Sequence, residues 1–296
     1  MRTGGRGDTG QRGARPGEWR AMNAAAHPPA ETLLLADVGN TRIKLAVVAE
    51  RGRVGPTAAR LPRVDRRQDL LSRDFRLTNL ERWLAAVAPG PALLLVASVN
   101  DTAAARLGAA IAEVSATGHR PLRQRRIGHA DLPLAVQLDE PQRVGIDRLA
   151  SAAAAGIVKP AGRGAIVVDC GTATTVDIVA PDGAFLGGAI LPGPALMARA
   201  LAEGTSRLPE VAALDHGPPP AMPGRSTQAA IAAGIGWGIR GAVARLVAEA
   251  RKAVGEAATL ILTGGSAGLV RDALPGAVEL PDLVLAGIAL AEADRS

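Results

Sequence analysis

The sequence has one cysteine, no tyrosine, two phenylalanines, three tryptophans and four histidines in 296 residues. With Cys170 alone, no disulfide can form within the chain. Next to Asp169 in an apolar stretch, Cys170 reads as a small buried residue. The histidines His27, His119, His129 and His216 are scattered over turn-rich stretches and read as surface residues, so no histidine metal cluster is expected. Aromatics at 2% leave no stacking platforms for single-stranded nucleic acid. No apolar run reaches the roughly 18 residues of a membrane-spanning helix. These absences set the expectation of a cytoplasmic protein with neither a nucleic-acid nor a membrane partner.

Apolar residues make up 48% of the chain, so its core must be built from Leu, Val, Ile and Ala. The length suits two modest domains. The net charge is +6. Half of that excess lies in residues 1–30, where Arg2, Arg6, Arg12, Arg15 and Arg20 face only Asp8 and Glu18. Residues 1–31 read as a disordered basic tail without the apolar stretch of a secretory signal. Met22, ten residues before the first strand, is a candidate alternative start.

The stretch that organises the chain is residues 33–50, LLLADVGNTRIKLAVVAE. It predicts strand, tight turn, strand. Asp37 stands at the end of the first strand, Gly39 lets the chain double back, Asn40 and Thr41 add donors, and Lys44 adds a positive charge. A carboxylate beside a donor-rich turn suits a magnesium–nucleotide phosphate chain. An ordinary hairpin is the competing reading of this stretch alone. A second copy favours the phosphate reading. Residues 165–180, AIVVDCGTATTVDIVA, repeat strand–turn–strand, with Asp169-Cys170-Gly171-Thr172 over Asp37-Val38-Gly39-Asn40. A third glycine turn, Gly264-Gly265, follows another apolar run. Three such turns in this order resemble the actin-like ATPase and sugar-kinase superfamily. That resemblance implies an α/β fold of two duplicated actin-like (ribonuclease H-like) domains with a nucleotide cleft between them, here residues 32–158 and 159–296. The last helix, over 282–293, could pack back on the first domain.

Between the turns, residues 60–76 are charged and turn-rich, with a strand expected near 74–77. Helices are expected over 78–88 and 102–114, with a buried strand over 92–98 between them. The arginine-rich 120–126 reads as a solvated face, with an anion contact as the less favoured reading. Gly145-Ile146-Asp147-Arg148 opens a helical stretch over 149–155. Asp147 there is either a helix cap or a general base beside an arginine anion clamp. Ser226 and Thr227 cap a long helix over 228–254 whose small residues Gly234, Gly238 and Gly241 suit interdomain or dimer packing. Trp83 and Trp237 read as core or interface.

Taken in order, these motifs closely resemble type III pantothenate kinase over about residues 32–290. Asp37-Val-Gly-Asn-Thr41 comes first, then Gly145-Ile-Asp-Arg148 and Asp169-Cys-Gly-Thr-Ala-Thr-Thr175. Gly187-Gly188 with Pro192-Gly193 follows, and then Ser226-Thr227. The resemblance implies ATP-dependent phosphorylation of pantothenate, the first step of coenzyme A synthesis. It also implies a homodimer, Mg²⁺ with ATP, and a monovalent cation, K⁺ or NH₄⁺. Carried over residue by residue, Asp37, Val38, Gly39, Asn40, Thr41, Arg42, Ile43, Lys44 and Thr172 would bind ATP, with Asp37 also toward magnesium. Asp147 would be the catalytic base. Leu138, Gly145, Ile146, Asp147, Arg148 and Thr227 would meet pantothenate, and Asp169 would ligate the monovalent cation. The chain departs from the family at Leu138, where a tyrosine is usual, and at Glu140-Pro141, where Asn-Pro is usual. Leu138 keeps an apolar contact but supplies no hydroxyl. Two other readings compete: an actin-fold kinase for another small alcohol, and a non-catalytic accessory factor.

Overall fold

The computed structural model describes residues 31–55, 59–118, 121–212, 214 and 216–295. The basic tail, Met22, His27 and His119 lie outside the described residues. The first half runs β1 (Thr32–Val38), β2 (Arg42–Glu50), β3 (Arg53–Val54), β4 (Arg63–Leu71), α1 (Leu77–Val87), β5 (Ala92–Ser98), α2 (Asp101–Gly118), β6 (Leu122–Arg126) and α3 (Ile146–Val158). The second runs β7 (Ala165–Cys170), β8 (Ala173–Val179), β9 (Phe185–Pro192), α4 (Pro194–Glu203), α5 (Thr227–Val254), β10 (Thr259–Thr263), β11 (Val278–Glu279), α6 (Leu283–Ala289) and β12 (Asp294–Arg295).

The two halves carry one topology. The first sheet has the order β4-β2-β1-β5-β6 and the second β9-β8-β7-β10-β11. In each, three antiparallel strands form a meander and two further strands run parallel to the first. This is the ribonuclease H-like unit used twice, the duplicated actin-like architecture.

Strand alternation explains how the sheets stack. Leu34, Ala36 and Val38 of β1 point to an outer core covered by Leu80 and Leu84 of α1 and Leu107 and Ile111 of α2. Leu33 and Leu35 point the other way, into a central core shared with Val167 of β7, the alanines of α3 and Leu285 and Ile288 of α6. On the far face of the second sheet, Ile166 and Val168 meet Ile239, Val243 and Val247 of α5. The small side chains of α3 let α6 come very close: a methyl added at Gly287 would overlap the Ala150 carbonyl. The last helix packs on both α3 and β1, and β12 pairs with β3, so the chain returns to its first half. Because Asp37 and Asp169 continue the Leu33/Leu35 and Ala165/Val167 alternation, both carboxylates sit on the inner faces.

One expectation needs correction. Residues 72–76 form no strand; the strand is β4, over Arg63–Leu71. It is the sheet's edge, so one of its faces carries charges to solvent and masks the apolar alternation. A bulge opposite Ala46, with Arg66 at φ 47°, breaks its period further. The arginine-rich stretch, expected as a solvated face, is strand β6 and does face solvent: Arg123 and Arg126 are 68% and 59% exposed and pair at the surface with Glu31 and Asp101, and Arg125 pairs with Glu292. Helix α5 is, by length and composition, apolar enough to cross a membrane. In this fold its Ile239, Val243 and Val247 cover the second sheet and Arg240 is buried.

Candidate active site

At the end of β1, Asp37 stands opposite Lys44 of β2, and the lysine Nζ lies 3.7 Å from its Oδ2. The turn between them closes where the Gly39 N–H donates to the Arg42 carbonyl (3.0 Å). Buried Ser72, just past β4, fastens this turn from beneath. Its N–H donates to the Thr41 carbonyl (3.0 Å) and its hydroxyl to the Gly39 carbonyl (2.7 Å). Arg106 of α2 in turn donates to the Ser72 carbonyl (2.7 Å). With those carbonyls satisfied, Asn40, Thr41 and Arg42 form an exposed, donor-bearing tip. The side chains of Val38 and Ile43 are buried in the outer core, so only their main chain can meet a ligand.

The second turn closes in the same way, with the Gly171 N–H donating to the Ala173 carbonyl (3.0 Å). The Gly193 N–H donates to the Thr172 carbonyl (3.0 Å), so the Pro192-Gly193 motif braces this turn. The third turn packs directly on it. At Gly264, φ is +94° and an added methyl would sit 2.5 Å from the Asp169 carboxylate and from the Cys170 nitrogen, so only glycine fits. The Ser266 N–H donates to the Cys170 carbonyl (2.9 Å). Across the cleft, the Thr41 and Thr172 hydroxyls meet at 2.9 Å. All three glycine turns are thus brought together. A cavity of about 560 Å³ opens beside the third, lined by His216, Gly217, Gly265, Arg271 and Asp272 among others.

Burial pushes the carboxyl groups of Asp37 and Asp169 from 3.8 up to about 6 each. Lys44 pulls both back down, and Asp147 pushes both up. Asp147 lies in the first turn of α3. Its Oδ1 accepts from the Arg148 N–H at 2.9 Å, and the helix cap is Gly145. Asp37 and Asp169 therefore share one lysine, with the Asp147 charge acting on both, an excess of negative charge that a cation would offset. Among the described residues no cluster of three or more His, Cys, Asp or Glu could hold a metal alone. This donor set fits a divalent ion held through one or two carboxylates together with phosphate oxygens and water, the usual mode of magnesium in kinases.

Arg148 reaches the other sheet. Its Nε (2.9 Å) and Nη2 (2.5 Å) both donate to Oδ1 of Asp177 on β8, and its guanidinium lies 5.5 Å from the Phe185 ring centroid. Leu138 and Ile146 pack against the central core nearby. Thr227 is exposed at the start of α5, and among the described residues no hydrogen bond or ion pair joins it to Asp147, Arg148 or the turns. Sequence reasoning missed Ser72, Asp177 and Phe185. A signal for Asp177 was present: an acid in the middle of the apolar run TVDIV.

A model of the family described as type III pantothenate kinase matches residues 33–249. The chain belongs to that family. It is 38% identical over 265 residues to a type III pantothenate kinase of Rhodopirellula baltica, covering 84% of this chain and 94% of the relative. It is 37% identical over 258 residues to one of Halorhodospira halophila, covering 86% and 95%. Among solved structures, the chain resembles a Baf family transcriptional activator from Campylobacter jejuni. The TM-score is 0.51 at 20% identity, over 87% of this chain and 96% of that one, a likeness of fold. This type III pantothenate kinase family member brings its Asp37 and Asp169 turns together, with Asp147 within electrostatic reach of both carboxylates.

Proposed function

We propose that the chain transfers the γ-phosphoryl group of ATP to the primary hydroxyl of pantothenate, giving 4′-phosphopantothenate, with Asp147 as general base. The observation that carries this reading is the meeting of the Asp37 and Asp169 turns, joined by Thr41 and Thr172, within electrostatic reach of Asp147. Phosphoryl transfer asks the protein mainly for positioning and charge neutralisation. Lys44 and the Asn40–Thr41 tip would neutralise and orient the phosphates. Asp147 would take the hydroxyl proton as that oxygen meets the phosphorus, the leaving oxygen departing with ADP. Asp37 and Asp169 would hold Mg²⁺ and the monovalent cation (K⁺ or NH₄⁺) respectively. Such cations, when bound, spread the charge that develops on the transferring group. The cavity beside Gly265 would take the nucleoside.

We read residues 32–158 and 159–296 as the two domains, and the enzyme as a cytoplasmic homodimer without nucleic-acid or membrane partners. Support for the dimer comes from α5. Gly234, Gly238 and Gly241 face open space beside Trp237, which is 48% exposed. Thr227 lies on the same helix, where a partner subunit could complete the pantothenate site. The decisive experiment is phosphorylation of pantothenate by the purified protein with Mg-ATP, in potassium, ammonium or sodium, beside Asp147→Asn. Turnover that requires potassium or ammonium and collapses in the variant supports the reading. A folded protein with no turnover in any cation rejects it.

A further inference from the structure

The pair between Arg148 and Asp177 has no place in the steps above, yet it is among the most buried charge interactions of the described residues. The Asp177 side chain is 1% exposed and that of Arg148 16%. All of the Asp177 oxygens are used. Oδ1 accepts both Nε and Nη2 of Arg148, and Oδ2 accepts the Thr175 hydroxyl at 2.8 Å. Phe185 lies against the guanidinium on β9. The Gly187-Gly188 bend makes room for this arrangement. Gly188 stands opposite Asp177 in the β8–β9 ladder, and a methyl there would overlap the Val176 carbonyl and come 2.9 Å from the Asp177 carboxylate. A methyl on Gly187 would come 3.0 Å from Leu138. The Gly-Gly motif therefore shapes one wall that includes Leu138, Phe185, Asp177 and Arg148.

A guanidinium has five N–H donors in a rigid plane. Asp177 engages the edge formed by Nε and Nη2. Among the described residues Nη1 makes no hydrogen bond, so the edge that carries it is left open. Without Asp177, the nearest acid on the same helix is Asp147 itself, one residue away. A flexible Arg148 would then be free to pair with the base.

Building on the kinase reading, we propose that Asp177 is a positioning residue. It holds the Arg148 guanidinium away from Asp147 and presents the open edge to the carboxylate of the acid substrate. Asp177 touches neither substrate nor phosphate; it acts through Arg148. Its contribution is orientation of a charge-assisted contact, which is read as discrimination between a substrate with a carboxylate and one without.

The test compares pantothenate with its neutral alcohol analogue, in which a hydroxymethyl group replaces the carboxylate. In Asp177→Asn, KM for pantothenate should rise at least tenfold, kcat should fall by a smaller factor, and KM for the alcohol should change less than about threefold. Asp177→Glu should recover part of the pantothenate KM. If Asp177→Asn does not fold, because Arg148 is then left buried and unpaired, Asp177→Asn combined with Arg148→Gln removes both charges. That double variant should bind pantothenate no better than the alcohol. Equal losses on the two substrates, a loss confined to kcat, or an unchanged preference for the carboxylate in whichever variant folds would each overturn the proposal alone. Absence of turnover by the wild type on either substrate would overturn the kinase reading and this inference with it.

Discussion

The two Asp-Gly turns share a backbone and differ in what faces the carboxylate. In the first, four residues (39–42) separate the last ladder pair, and Asp37 stands opposite Lys44. In the second, three residues (171–173) do so, and Asp169 stands opposite Thr175. Two residues further along, the first hairpin places Ala46 opposite Leu35, while the second places Asp177 opposite Val167. These positions lie on the inner faces that enclose the cleft. One half thus brings a cation to the cleft, and the other brings an anion that holds Arg148. The duplication supplies symmetric geometry, and two substitutions on one strand face make it chemically one-sided. A site that binds a polyanion at one end and a hydroxy acid at the other needs that asymmetry.

The division of labour breaks most plainly at Asp147, which belongs to neither turn. Asp147→Asn should lower kcat about 10³-fold, the middle of the range for losing a general base, with little change in KM for ATP. Asp37→Asn and Asp169→Asn should act chiefly on ATP and cation KM. If, at saturating ATP and cation, Asp37→Asn lost as much kcat as Asp147→Asn, the chemistry would have to be moved into the first turn. Steady-state kinetics on the three purified variants decides this. Next in size is the Lys44–Thr175 contrast. Lys44→Met should reduce kcat/KM for ATP about 10²-fold by removing a preorganised charge, while Thr175→Val should cost less than tenfold. Equal effects would mean that the two hairpins contribute alike and that the asymmetry is only visual.

Much of this cleft was legible in the sequence because it is built from local signals. An apolar run ending in Asp, then a glycine turn, then a second apolar run specifies a hairpin and places the acid at its tip. Repetition of that pattern 132 residues later announced the duplication. Asp147 was legible for the same reason, since Gly145 and the alanine-rich run fix where the helix begins. The parts that were not legible depend on contacts distant in sequence. Ser72 matters only because an edge strand brings it under Gly39, and that strand was obscured by its solvent-facing charges. Arg148 was expected as a free anion clamp, and the fold commits half of it to Asp177, 29 residues on and in the other sheet. The Gly187-Gly188 pair was visible as a bend; that it makes space for an ion pair emerges only from the β8–β9 register.

Protonation offers a smaller test, in which the two turns should behave alike. Asp37 and Asp169 are each raised by burial from 3.8 to about 6. Between those values the folded protein holds more protons than the unfolded chain, so this contribution to stability falls as pH rises from about 4 to about 6. Without cations or nucleotide, both carboxyl groups should therefore make the protein more stable on acidification from pH 7 toward pH 5. Bound cations favour the ionised forms, so the gain in melting temperature on adding Mg-ATP and potassium should be largest above pH 7 and shrink below pH 6. Thermal melts across that range check both signs. Lys44 lowers both groups, so in Lys44→Met the window should move to higher pH for both carboxyls together. Movement of one alone would show that the lysine serves only its own hairpin.

The smallest effect should come from the hydrogen bond that joins the two Asp-Gly turns. Thr41 and Thr172 lie at exposed tips, and their hydroxyls meet at 2.9 Å. Water competes for both groups, so the bond should contribute no more than about 1 kcal/mol to stability. Thr41→Val and Thr172→Val should each lower the melting temperature slightly, and the double variant should show a coupling of about 0.5–1 kcal/mol. The same cycle read in KM for ATP separates two roles. If the hydroxyls mainly close the cleft, the coupling seen in stability reappears in KM with the same sign. If each hydroxyl leaves the other to donate to a phosphate, the single variants act independently on KM and the coupling vanishes when nucleotide is bound. The second result fits the division between the halves better, because it gives the Thr41–Thr172 contact a role only in the empty cleft and returns each threonine to its own turn once ATP arrives.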